Sequence, residues 1–285
     1  MDNPIILHFV TLTIFSLMLA IGVNHSFEQL TSLWRRPALL LRSLLAVIVL
    51  VPAVVGLLIW VFDLPIAVAT GLAILAAAPG APLTTKRTQM AAGDPTYAAS
   101  LQLTLALSAV VVTPLTLAVF YNLFELATER VTPFKVTLQV GEVTFLPVII
   151  GLLIQHFVPR FAKIIGKPVQ VIGNVLFILL LVLIVVLLVI APDFRAILKI
   201  GGLPIAAILI MVALALTIGH LLGGPSREQR SVLSIASIAR NVGLAFFIAG
   251  LSDYGQQFIP TLLTFMNLGS LLAVPYAVWN KRQMR

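Results

Sequence analysis

Apolar runs of about 20 residues, the length that crosses the hydrocarbon core of a bilayer as an α-helix, follow one another along this chain with only short polar gaps. Divided at those gaps, the pattern predicts spans over residues 5–22, 37–60, 66–92, 96–121, 134–157, 168–190, 200–222, 231–251 and 257–279. Residues 24–36 read as a polar connection, and Pro52 is placed to kink the second span. The expected fold class is all-α: a polytopic membrane protein of about nine transmembrane helices, forming one integral-membrane domain over residues 1–285.

Two of these spans do not run cleanly. The third is interrupted by Pro79, Gly80, Ala81 and Pro82. Each proline removes a backbone donor and clashes with the preceding turn. Backbone groups freed at that depth are tolerated only where protein or a water-filled cavity surrounds them. Such a break near mid-membrane is the sequence mark of a transporter site. The eighth span carries Arg240, Asn241, Val242 and Gly243 at its centre, with Gly243 removing side-chain bulk. The two spans run in opposite directions and each is followed by another apolar span, as an inverted repeat with discontinuous helices requires. The plainer alternative is a pair of kinked helices without functional meaning.

Composition narrows the class further. With 60% hydrophobic and 10% charged residues and a mean hydropathy of +1.10, the chain has too little polar surface to cover a water-facing globule. The net charge of +8 does not point to nucleic acid, because Lys and Arg sit mainly in short loops rather than in a dense basic run. Arg35, Arg36, Arg160, Lys163, Lys167, Arg227, Arg230, Lys281, Arg282 and Arg285 fall on one side of the nine-span layout; Arg130, Lys135, Arg195 and Lys199 fall on the other. The positive-inside rule then places the N-terminus outside and the C-terminus in the cytoplasm of a multi-pass plasma membrane, of the bacterial inner-membrane type. The first apolar segment lacks a basic n-region and reads as a retained span. Cysteine is absent, which excludes disulfide and thiolate chemistry. His8, His25, His156 and His220 show no metal-ligand spacing, and Glu142 is the one acid well inside a span, where it could pair with Arg42. No metal site and no cofactor are expected. An intramembrane enzyme would need clustered acids, a metal or an activated nucleophile, and none is visible.

The candidate site therefore rests on cations and amides. Arg240 lies at the middle of its span, where an unpartnered Arg costs at least ~2.5–3.5 kcal/mol, so it requires a partner or an aqueous cavity. Lys86 and Arg87 lie about one turn beyond the proline break and point roughly 100° apart on a helix, so at most one faces the site squarely; Lys86 falls nearer the break. Half-helix N-termini near Leu83 and Asn241 would add partial positive charge. Thr84, Thr85 and Asn241 are candidate hydrogen-bonding contacts to an anion, with Gln102 and Asn267 in a second tier.

The stretch from Ala78 to Thr85, continuing through Ala92-Gly93-Asp94 to Thr113-Pro114, resembles the bile acid:sodium symporter family. So does Arg240-Asn241-Val242-Gly243-Leu244-Ala245, followed by Asn267-Leu268-Gly269-Ser270-Leu271-Leu272. The resemblance implies a panel domain (roughly 1–23 and 134–191) and a core domain (roughly 37–121 and 200–280), with the third and eighth spans crossing at their unwound centres. It also implies an organic-anion substrate carried by movement of panel against core. The family's sodium ligands include a Ser-Asn pair, hydroxyls on the next span, a Glu and a Gln, and a further Gln on the second span. The matching positions here read Thr84-Thr85, Ala98 and Gln102, Ala236 and Arg240, and Val47. A cation without the acid would repel Na⁺. The expectation is a small-organic-anion transporter that is not sodium-coupled in the family's manner, working by uniport, exchange or with H⁺. Sodium-dependent symport and a non-transporting receptor are the alternatives.

Overall fold

The computed structural model describes residues 4–81, 84–126, 137–138, 140–190, 201–252 and 254–284; the side chains of residues 4–7, 30, 86, 181, 184, 185 and 187–190 fall outside that description. The described residues form helices joined by short connections: α1 (Pro4–Asn24), α2 (Phe27–Trp34), α3 (Pro37–Phe62), α4 (Ile66–Ala76), α5 (Thr84–Met90) and α6 (Pro95–Phe124). After these come α7 (Gly141–Phe157), α8 (Pro159–Ile190), α9 (Gly202–Leu222), α10 (Arg227–Ile238), α11 (Val242–Gly250) and α12 (Ile259–Arg282). Among the described residues, six helical stretches are long and apolar enough to cross a bilayer: α3, α6, Pro159–Leu180 of α8, α9, Arg227–Gly250, and Gly255–Arg282. α4 and α7 are shorter apolar helices, and α1 with α2 forms a pair bent by 88°. The all-helical, polytopic membrane class stands. The loop cations Arg130, Lys135, Arg195 and Lys199 lie outside the described residues.

Three local features differ from the sequence expectation. Residues 27–34 are helical rather than a plain polar connection. Ser26 and Gln29 form a reciprocal capping box that satisfies the first free amides of α2. This helix is fastened to α6 by Leu33 N–H donating to Ser100 Oγ (3.2 Å) and Trp34 Nε1 donating to Thr104 Oγ1 (3.1 Å). Secondly, α8 begins at Pro159 and contains Pro168, which is exposed, so the carbonyl it leaves without a donor lies on the outer face. Thirdly, Arg42 and Glu142 are both exposed, and no ion pair joins them.

Pro52 does more than kink α3. The helix widens into a π-turn over Leu45–Leu50, in which Val51 N–H donates to Ala46 O, five residues back. The next bond of that ladder would run from residue 52 to Val47 O, and proline has no N–H to give. The Val47 carbonyl is thereby left without its ladder donor inside the membrane. The same sequence of events recurs in α7, where a π-turn over Gly141–Phe145 precedes Pro147.

Small residues set how the helices group. A Cβ on Gly22 would fall 2.2 Å from Val148 O, and one on Gly151 2.6 Å from Val23 N, so α1 and α7 touch backbone to backbone. Gly166 and Gly173 bring α8 against the same helix, and Asn24 Nδ2 donates to Gly166 O (3.1 Å). Elsewhere α9 meets α10 at Gly219, where a Cβ would lie 2.4 Å from Ser234 Cα, and Gly71 of α4 meets Thr261 of α12. Close backbone approach of this kind is how helices associate where lipid supplies no hydrophobic drive. At the centre, every residue of α4 from Val68 to Ala76, of α10 from Ser231 to Ile238, and of α11 from Val242 to Ala249 is buried.

Candidate functional site

The two interrupted spans meet at their breaks. α4 ends at Ala76, two residues before the sequence pattern suggested, because Pro79 disfavours helical geometry at Ala78. The backbone turns at Gly80, whose φ of +78° suits glycine, and a Cβ there would lie 3.0 Å from Ala106 N of α6. Pro82 and Leu83 lie outside the described residues. The second break needs no proline. Arg240 N–H donates to Ile238 O (3.0 Å) and Val242 N–H to Arg240 O (2.9 Å), with Ala239 at φ −80°, ψ 79° and Asn241 at φ −75°, ψ 83°. These are two successive inverse γ-turns. They release Asn241 N–H and Ala239 O, and each finds the other break: Asn241 N–H donates to Ala78 O (2.8 Å) and Ala81 N–H to Ala239 O (3.3 Å). The crossing is thus a backbone clasp, with orphan groups of one span satisfied by the other.

Arg240 seals the third side of this crossing. It is 2% exposed, and its guanidinium donates from Nη1 and Nη2 to Val47 O (3.1 Å each) and from Nη1 to Ala76 O (3.4 Å). Both acceptors are carbonyls their own helices cannot satisfy. Val47 O lost its donor to the π-turn and Pro52; Ala76 O stands at the C-terminus of α4, where the helix dipole also favours a cation. Arg240 Nε has no partner. A buried charge at mid-span, set against helix-end carbonyls, is legible in the sequence; that the acceptors are Val47 O and Ala76 O is not.

An open cleft lies beside the clasp, lined by residues of α1, α8, α11 and α12. Ile14, Leu17 and Met18 of α1 and Phe177 of α8 form one wall; Ala81, Arg240, Asn241, Val242 and Gly243 of the breaks, with Phe265, Met266 and Gly269 of α12, form the other. Asn241 is 1% exposed; its Oδ1 accepts from Leu244 N–H (3.0 Å) and caps α11, while its Nδ2 is buried without a partner. Gly243 leaves room: a Cβ there would sit 3.5 Å from both Asn241 Oδ1 and Ile14 Cγ1. Arg87 also lines the cleft, donating from Nη2 to Ser270 Oγ (3.2 Å). Lys86 lies beside it in α5, and its side chain is outside the described residues.

The other candidates do not line the cleft. Thr84 Oγ1 donates to Ala81 O (2.7 Å), and Gln102 Oε1 accepts from both the N–H (2.9 Å) and the hydroxyl of Thr85, so these three side chains tie the start of α5 to the break and to α6. Asn267 is exposed on α12, its Nδ2 bonded to Leu263 O (2.8 Å). The positions that match the family's sodium ligands form no oxygen cage. Ala98 and Ala236 bring no side-chain oxygen, Gln102 Oε1 already accepts two bonds, and a guanidinium stands at the crossing. Sequence reasoning ranked Arg87 below Lys86 and gave Ser270 no role; helical facing relative to the break was the signal available for them.

Comparison with known proteins agrees with this architecture. The model of the Sodium Bile acid symporter family matches residues 11–195. The chain is 27% identical over 283 residues to the human P3 protein (Homo sapiens), covering 96% of this chain and 58% of that protein. It is 28% identical over 179 residues to the mouse P3 protein (Mus musculus), covering 63% of this chain and 37% of that protein. The chain thus spans less than two thirds of the length of these relatives. With clasped interrupted helices beside an open cleft and a family model that covers most of its length, the chain belongs to the sodium bile acid symporter family.

Proposed function

We propose that this chain is a secondary transporter that moves a small organic anion by alternating access, without the family's sodium coupling. The observation that carries this reading is the Arg240 guanidinium, fully buried at the crossing and bonded to Val47 O and Ala76 O. In this reading a tethered cation performs the electrostatic work that bound ions perform in a sodium symporter: it compensates the carbonyl ends at the crossing whether or not Na⁺ is present. A fixed charge does not leave with the substrate, so the cycle is uniport, exchange or H⁺-linked. The cleft supplies what an anion needs: no acid among its described lining residues, and the unpartnered Asn241 amide. The grouping of α1 with α7 and α8 supports a panel, and the clasped helices with α3, α6, α9 and α12 a core. The basic-residue split of the nine-span layout supports an outside N-terminus and a cytoplasmic C-terminus.

Purified protein in proteoliposomes tests the proposal. Uptake of a labelled organic anion is expected to be independent of Na⁺ at constant pH and membrane potential, and to be abolished by Arg240→Ala. A steep rise with Na⁺, or full activity of the Ala variant, rejects it.

A further inference from the structure

We infer that Arg87 is the charge that recognises the substrate anion, with Ser270 as its positioning residue; this rests on the anion-transport reading above. Two guanidiniums line the cleft, and they are not equivalent. Both terminal nitrogens of Arg240 are committed to carbonyls, and those bonds hold the crossing together. Arg87 is half-buried, no acid pairs with it among the described residues, and its described hydrogen bond is the one from Nη2 to Ser270 Oγ. The rest of its planar fork remains available for a carboxylate, which such a fork binds through two parallel bonds.

Ser270 is itself oriented. Its hydroxyl donates to Met266 O (2.8 Å), so an oxygen lone pair is what it presents to Arg87. This chain, Met266 O to Ser270 to Arg87, runs from α12 to α5 and holds the guanidinium at the cleft. Asn241 lines the same cleft, and its buried Nδ2 has no partner. Opposite these polar groups the wall is apolar, with Ile14, Leu17, Met18 and Phe177. An anionic head held by Arg87 therefore leaves an apolar body against α1 and α8. Arg240 sets the scaffold and Arg87 reads the ligand.

Thermal stabilisation of the purified full chain by 2-naphthoate and by its neutral counterpart 2-naphthamide tests this division. Wild-type protein is expected to respond to naphthoate at lower concentration than to naphthamide. Arg87→Gln is expected to weaken the naphthoate response tenfold or more and leave the naphthamide response in place, as loss of a charged hydrogen-bonding partner implies. Arg87→Lys should fall between, keeping charge but not the fork. Ser270→Ala should weaken naphthoate binding two- to fivefold, and Ser270→Thr, which restores the hydroxyl, should recover it. Should Arg87→Gln fail to fold, the Lys, Ala and Thr variants decide by the same order. An undiminished naphthoate response in Arg87→Gln, or in both Arg87→Lys and Ser270→Ala, overturns the assignment of Arg87 alone. A wild-type protein that prefers naphthamide overturns the anion reading as well.

Discussion

Gly80 and Gly243 lie at corresponding places in two interrupted spans, yet they do different work. Gly80 holds φ at +78°, and a Cβ would press on Ala106 N and the Leu105 backbone at 3.0–3.1 Å. Gly80→Ala combines left-handed strain of about 1–2 kcal/mol with a backbone clash, so it should lower the melting temperature and the yield of folded protein. Gly243 has an ordinary φ, and its added Cβ would make normal contacts at 3.5 Å. Gly243→Ala should leave the melting temperature within about 2 °C, since it changes stability by less than about 0.5 kcal/mol, but reduce transport by narrowing the cleft beside Asn241. Equal loss of stability in both variants would contradict this separation. Arg87 makes a similar point: it lines the cleft although it stands farther along α5 from the break than its sequence neighbour.

At the scale of elements, the binding of Arg240 depends on a defect in a helix that does not contain it. Pro52 prevents α3 from closing its π-turn, and the carbonyl left over is the one Arg240 uses. Supplying the missing N–H with Pro52→Ala gives Val47 O a local donor in competition with the guanidinium. Arg240→Met, which keeps much of the length but none of the donors, should cost about 2–4 kcal/mol in the native background, from two carbonyls left unsatisfied at about 1–2 kcal/mol each. In the Pro52→Ala background that loss should shrink by about 1 kcal/mol. The non-additivity is measured by a double-mutant cycle on thermal or denaturant unfolding. Strict additivity would show that the π-turn and Arg240 are energetically separate. The broken spans themselves differ in legibility for the same kind of reason. Pro79 and Gly80 break the third span by covalent chemistry that any reader of the sequence can see. The eighth breaks because Ala239 O and Asn241 N–H have partners waiting at Ala81 and Ala78, a fact about another part of the chain.

Across the whole molecule, the cleft lies between residues of α1 and α8 and residues of α11 and α12, and the alternating access proposed above would require these walls to move relative to one another. Ile14 and Gly243 mark where the two walls touch: a Cβ at residue 243 would lie 3.5 Å from Ile14 Cγ1, a spacing a disulfide can bridge. The native chain has no cysteine, so an Ile14→Cys, Gly243→Cys pair forms the one possible bridge. Oxidation should arrest transport and reduction should restore it, with the reduced double variant setting the reference rate. Unimpeded transport by the cross-linked protein would mean that these walls do not part during the cycle. The all-helical membrane class of the molecule and the first break were determined by local quantities: run length, charge frequency and proline. So was the presence of a cation at the centre of the eighth span. What the tertiary structure decided was how unsatisfied groups are matched. Which carbonyls receive Arg240, and why a stretch without proline leaves the helix at Ala239-Arg240-Asn241, are settled by donors and acceptors that lie far apart in sequence. A backbone group buried from water must find a partner somewhere, and only the assembled fold says where.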